Sequence, residues 1–69
     1  MIKITEITTI INDNESSEYY RDNKPILEKE FYSLRLRKCY YEEREVYYQK
    51  EGLSIRRMLL IKGDNDDDN

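Results

Sequence analysis

A chain of 69 residues can close only one small hydrophobic core, and such a core supplies no more than about 3–5 kcal/mol of net stability. Where its apolar residues fall therefore decides the fold. Apolar types make up 38% of the chain and charged types 39%, against about 45–50% and 25% in an average globular protein. Two apolar stretches stand out. Residues 2–11, Ile-Lys-Ile-Thr-Glu-Ile-Thr-Thr-Ile-Ile, are rich in β-branched side chains, which lose rotamer freedom in a helix and sit well in extended chain. They predict a first strand. Its alternation is clean for Ile2 and Ile4 against Lys3 and Thr5 and slips a register before Ile7, the pattern of a bulge or of a strand that begins later. Near the other end, Met58-Leu59-Leu60-Ile61 are four apolar residues in succession, as in a strand covered on both faces. Arg56 and Arg57 then mark where that strand leaves the interior.

Between these runs, residues 12–25 read as a polar loop. Asn, Asp and Ser bond their own backbone in competition with regular structure, and Pro25 biases Lys24 towards an extended conformation. Residues 26–52 admit several readings. Tyr32, Leu34 and Leu36 alternate with Ser33, Arg35 and Arg37 as in a strand. A long helix is also compatible, capped by Asp22 or Asn23 and ended by Gly52, although charges interrupt its apolar stripe twice. The favoured division is a second strand over about 29–39 and a short helix over about 42–51 that ends at Gly52. Its nearest rival is a hairpin of Glu45–Gln49 with 53–61 across a Lys50-Glu51-Gly52 turn. The expected fold is α+β: a small β-rich single domain over residues 1–63, with about three strands, one short helix and a core of Leu34, Leu36, Ile55, Leu59 and Ile61.

The acidic balance belongs to the end of the chain. The last six residues hold four of the fifteen acids, so the body carries twelve cations against eleven acids and is nearly neutral. A tail over 64–69 with no apolar residue to bury is expected to be disordered and solvated, or else to dock on a basic surface or shield one.

The inventory for chemistry is thin. There is no histidine and one cysteine, which removes His-based dyads and the usual structural zinc sites. Cys39 lies on the strand pattern, where cysteine acts as a small buried hydrophobe. Glu42-Glu43-Arg44-Glu45 reads as salt-bridge partners rather than a metal site. Only Gly52 and Gly63 exist, so there is no glycine-rich phosphate loop. No catalytic, metal or cofactor-binding residues are expected. No apolar run approaches the length of a membrane span, and no N-terminal segment resembles a signal peptide. The expectation is a binding protein without enzymatic activity, cytoplasmic in a host cell or part of a virion.

Tyrosine carries the binding pattern. Seven Tyr stand against one Phe and no Trp, and six of them are adjacent pairs: Tyr19-Tyr20, Tyr40-Tyr41 and Tyr47-Tyr48. Neighbouring residues of a strand or helix cannot both face the core, so some of these rings lie at the surface. Tyr and Arg are enriched at protein interfaces. Tyr40, Tyr41, Arg44, Tyr47, Tyr48 and Arg57 are the expected partner-binding residues, towards a protein partner or further copies in a homo-oligomer. A nucleic-acid surface of cations and stacking rings would need a larger basic excess than this body has.

The order of features resembles phage head–tail adaptor proteins, also called head-closure or head-completion proteins. The matching pieces are Ile4-Thr5-Glu6-Ile7, the polar stretch ending Asp22-Asn23, and the strand around Tyr32-Ser33-Leu34-Arg35-Leu36. Then come Arg44-Glu45-Val46-Tyr47-Tyr48-Gln49 in the place of the family's short helix, Gly52-Leu53, and Met58-Leu59-Leu60-Ile61. The best-matching stretch is about residues 30–61. Val46 stands where an aromatic is typical, the spacing to Gly52 is one residue short, and the hairpin that completes the family's small barrel is lacking. The resemblance implies a head–tail connector component whose open sheet edge is completed by neighbouring subunits. The alternative is a small regulatory inhibitor from a mobile element, acting on a basic, nucleic-acid-binding protein through its acidic loop and tail.

Overall fold

The computed structural model describes residues 1–65. Six elements follow one another: β1 (Ile2–Ile11), β2 (Asn14–Arg21), β3 (Lys24–Ile26), α1 (Glu28–Leu34), β4 (Cys39–Gln49) and β5 (Gly52–Ile61). The five strands form one antiparallel sheet in the order β3-β2-β1-β5-β4. The expected count of about three strands is therefore wrong, although the domain is small and β-rich as expected.

Residues 12–25, expected as a loop, instead build two hairpins. Their turns are Asn12-Asp13 and Asp22-Asn23, and all four residues have positive φ, from 49° to 70°. Two-residue turns of this handedness match the twist of the strands they join, and Asn and Asp tolerate the conformation better than other non-glycine residues. Between the turns, Asn14–Ser17 pair with Thr8–Ile11 while their side chains stay exposed. A strand with two wet faces needs no apolar alternation.

The predicted strand over 29–39 is largely α1. Its buried residues are Phe31 and Leu34, one helical turn apart, and Leu36, placed in the core from alternation, is 88% exposed. Seven residues are too few for a stable isolated helix, so α1 exists because Phe31 is driven into the sheet. The predicted helix over 42–51 is strand β4, and a hairpin is observed as in the rival reading, but its turn is Lys50-Glu51 alone, with Gly52 in β5 opposite Gln49. Gly52 is not a helix cap. A β-carbon there would meet the carbonyl oxygen of Ile10 at 1.8 Å, so glycine is what lets β5 start against the end of β1. Arg56 and Arg57 lie in the middle of β5 rather than at its exit.

The core occupies one end of the sheet. Ile2, Ile4, Leu59 and Ile61 line one face and α1 closes over them with Phe31 and Leu34, supported by Tyr19 and Ile26. Of the expected core residues Leu34, Leu59 and Ile61 are buried, and Ile55 is half-buried. Met58 and Leu60 face the other side and are only half-covered, so the 58–61 run is covered on one face, not two. β1 is continuous with both neighbours from Ile4 to Ile11 and carries no bulge. The body measures 47 × 20 × 17 Å with a radius of gyration of 13.5 Å. A compact chain of this length would have about 11 Å. The excess is the far half of the sheet, which runs past α1 as a single layer.

Candidate interface: the open edge of the sheet

β4 is an edge strand of eleven residues. One side pairs with β5, and no strand among the described residues pairs with the other. Natural edges are commonly blunted by charged side chains, lysine above all, by proline, by bulges, by short length or by a covering element. β4 carries no proline and no lysine; its charges fall at residues 42–45 and its bulge between Cys39 and Tyr41, so residues 46–49 have none of these devices. The opposite edge is covered only in part: β3 pairs with β2 along Tyr19–Arg21, and residues 14–18, polar throughout, have no strand on that side among the described residues.

Alternation divides the β4 side chains between two faces. On the face shared with α1, Glu42 lies opposite Leu59, Arg44 opposite Arg57, Val46 opposite Ile55, and Tyr48 opposite Leu53. On the other face are Tyr41, Glu43, Glu45 and Tyr47. Five of the six expected partner-binding residues, Tyr40, Tyr41, Arg44, Tyr47 and Tyr48, thus belong to β4. They do not form one patch. Arg57 is placed elsewhere, on the inner strand β5, with Nη2 2.7 Å from Glu42 Oε1. Cys39, expected to be buried, is exposed at the start of the edge, with its thiol donating to the Tyr41 carbonyl at 3.3 Å.

Tyrosine and glutamate two residues apart on one face pair repeatedly. Tyr41 donates to Glu43 at 3.0 Å and Tyr20 to Glu18 at 3.2 Å, and Tyr47 donates to Glu45. The bonds to carboxylate hold the Tyr41 and Tyr47 hydroxyls above the usual phenol range. Glu45 is held below the usual carboxylate range, first by the bond from Tyr47 and less by the charge of Arg56. Arg56 reaches across the pair of strands to Glu43 at 3.6 Å and Glu45 at 3.4 Å. The Glu42–Glu45 cluster is therefore a set of salt-bridge partners, as read from the sequence, but along a strand.

Two side chains of the edge stay uncommitted. Arg44 makes no ion pair among the described residues, because its cross-strand neighbour Arg57 turns to Glu42. Tyr48 is 82% exposed and its hydroxyl has no partner among the described residues. Beside them Val46, with Ile55, Leu53 and Ile10, forms an apolar strip that α1 does not reach. Among the described residues no group of three or more His, Cys, Asp or Glu is placed to hold a metal ion, and no helix is long and apolar enough to cross a membrane.

Val46 and its strip were missed by sequence reasoning, which favoured a helix there. The three-residue turn Lys50-Glu51-Gly52 read from the sequence would set Val46 against Arg56; the observed turn is Lys50-Glu51, which puts Gln49 opposite Gly52 and Val46 opposite Ile55. Comparison with family models, curated proteins and solved structures returns no match to this chain.

Proposed function

We propose that the protein is a non-enzymatic assembly component whose subunits join through the open edge of β4, edge to edge with a second copy. Two identical antiparallel strands related by a twofold axis keep their side chains on shared faces only in alternate registers. Among these, the register centred on Val46 pairs the charges best. It sets Val46 against Val46, Tyr47 against Glu45, Tyr48 against Arg44, Gln49 against Glu43 and Lys50 against Glu42. No like charges meet, and the uncommitted arginine meets the uncommitted ring, a cation–π pairing worth about 0.5–1 kcal/mol at an exposed site. Shifting the centre to Arg44 opposes Arg44 to itself and Glu43 to Glu45. A centre at Glu43 or Glu45 opposes that glutamate to its copy, and one at Tyr47 opposes Arg44 to Lys50. Pairing also joins the two apolar strips across the axis and satisfies the unpaired backbone groups of the edge.

The observation that carries the reading is the eleven-residue uncovered edge with Arg44 and Tyr48 unengaged on it. The narrower form, a connector joining phage head to tail, is supported by the order of features in the sequence. Arg44–Gln49 departs from it, being strand where that family has a short helix.

Sedimentation equilibrium tests the reading. The wild-type chain is expected to dimerise in a concentration-dependent way, and Val46→Lys to remain monomeric with its β-sheet circular dichroism intact. A wild-type chain that stays monomeric into the hundreds of micromolar would remove the proposal.

A further inference from the structure

The near-neutral charge of the body conceals a segregation. Arg21, Lys24, Arg35, Arg37, Lys38 and Lys62, half of the twelve cations, lie at the packed end. There β2 turns into β3, α1 passes into β4, and β5 leaves the sheet. Two of them converge on one carboxylate. Arg21 Nη2 lies 3.0 Å from Asp64 Oδ2, and Arg37 Nη1 lies 2.6 Å from Asp64 Oδ1. Arg37 Nη1 also donates to the carbonyl of Lys62 at 3.4 Å, which fixes its guanidinium at the mouth of a groove lined by Arg37, Lys38, Lys62, Gly63 and Asp64. Lys38 Nζ stands 5.2 Å over the ring of Tyr40. The two arginines come from segments sixteen residues apart, and without an anion between them their charges repel.

We propose that the Arg21–Arg37 pair is a binding site for the phosphodiester backbone of single-stranded nucleic acid, held closed by Asp64 as an intramolecular competitor. A carboxylate that gives one oxygen to each guanidinium presents what a phosphodiester presents with its two non-bridging oxygens, and arginine recognises both groups by the same forked geometry. Lys38 and Lys62 line the groove along which adjacent phosphates would run, and the half-exposed ring of Tyr40 gives a base a surface to stack on. The arginines hold the Asp64 carboxyl below the usual aspartate range, Arg37 more than Arg21, so the competitor is charged at neutral pH. This site does not rest on the β4 edge register, whose proposed axis at Val46 lies opposite Ile55 in the other half of the sheet.

Fluorescence anisotropy with a labelled oligothymidylate at low salt tests it on the full chain. Asp64→Asn is expected to bind about tenfold more tightly than wild type, since it removes a charged competitor and leaves both arginines in place. Arg21→Ala with Arg37→Ala is expected to weaken binding at least tenfold, while Arg21→Lys with Arg37→Lys retains most of it. With about four phosphates contacted on a single strand, affinity falls roughly fiftyfold between 50 and 200 mM salt. The proposal is overturned if Asp64→Asn binds no better than wild type, or if the double alanine variant binds as well as wild type with an unchanged unfolding midpoint. Displacement of the oligonucleotide by equimolar inorganic phosphate would also overturn it, because the site would then hold a simple anion and not a backbone.

Discussion

The two halves of this sheet are made of the same strands and held by different means. At the packed end α1 seals Ile2, Ile4, Leu59 and Ile61 under Phe31 and Leu34, and Tyr19 meets Phe31 with ring centroids 5.0 Å apart. At the bare end no element among the described residues covers either face. Ladder hydrogen bonds, the Thr8–Ser17 hydroxyl pair at 3.1 Å and the bonds from Asn12 to Glu51 that tie the two hairpin tips are what remain. Four bare strands, β2, β1, β5 and β4, with half-buried Ile10, Leu53 and Ile55 bury too little apolar surface to be stable alone. The bare end therefore borrows its order from the packed end through β1 and β5, and it is the part of the molecule with most to gain from a neighbour.

The largest effect that separates the halves is truncation. Phe31→Ala is expected to cost about 3–5 kcal/mol, enough to unfold the whole domain, whereas Ile10→Ala at the bare end is expected to cost less than about 1.5 kcal/mol. Chemical denaturation of the two variants checks this, and equal losses would break the distinction. Next comes Gly52→Ala, whose β-carbon has the Ile10 carbonyl in its way. A loss of about 1–3 kcal/mol is expected, and hydrogen exchange should place the new opening in Ile7–Ile11 and Gly52–Ile55 while Ile4 and Leu59 stay protected.

How much of this contrast is legible in the sequence depends on how wet each strand is. β1 and β5 are readable because Ile2, Ile4, Leu59 and Ile61 must be buried and β-branched or aliphatic residues surround them. β2 is not, because Asn14–Ser17 face water on both sides and leave no apolar period, so its polar residues imitate a loop. The turn pairs Asn12-Asp13 and Asp22-Asn23 were the available clue. α1 was misread because Tyr32, Leu34 and Leu36 happen to alternate, while the pair that matters, Phe31 and Leu34, is spaced for a helix. β4 was read as a helix because an edge strand also lacks a buried period. The tyrosine and arginine residues of the candidate interface were therefore found by composition, while Val46, which sits at the centre of the proposed contact, depends on pairing that only the fold reveals. Residues 66–69 of the acidic tail lie outside the described residues, and Asp64, its first acid, is held by Arg21 and Arg37.

The smallest expected effects are in protonation. Tyr32 is pushed up to about 12 by its hydrogen bond with Tyr19 first and the charge of Glu6 next. Its stabilising contribution is whole below the ordinary tyrosine range near 10 and is lost as pH rises from there towards 12. Absorbance titration should show Tyr32 ionising late, with Tyr20, Tyr41 and Tyr47 also above the ordinary range, and Glu6→Gln should bring the Tyr32 step earlier. Asp64 runs the opposite way: its contribution is present above the ordinary aspartate range and lost as pH falls through its lowered value. Asp64→Asn should flatten that part of the acid limb without altering the alkaline one.

Self-pairing of β4 about Val46 is open to a covalent test, a disulfide across the proposed axis. Residues facing each other in an antiparallel pair have α-carbons about 4.5–5.5 Å apart, within the reach of a disulfide. With the exposed thiol removed by Cys39→Ser, Val46→Cys is expected to form a covalent dimer rapidly on mild oxidation. Arg44→Cys in the same background, whose copies lie four residues out of register, is expected to cross-link far more slowly. A Val46→Cys chain that stays monomeric under oxidation, or cross-links no faster than Arg44→Cys, would rule out pairing of β4 about Val46.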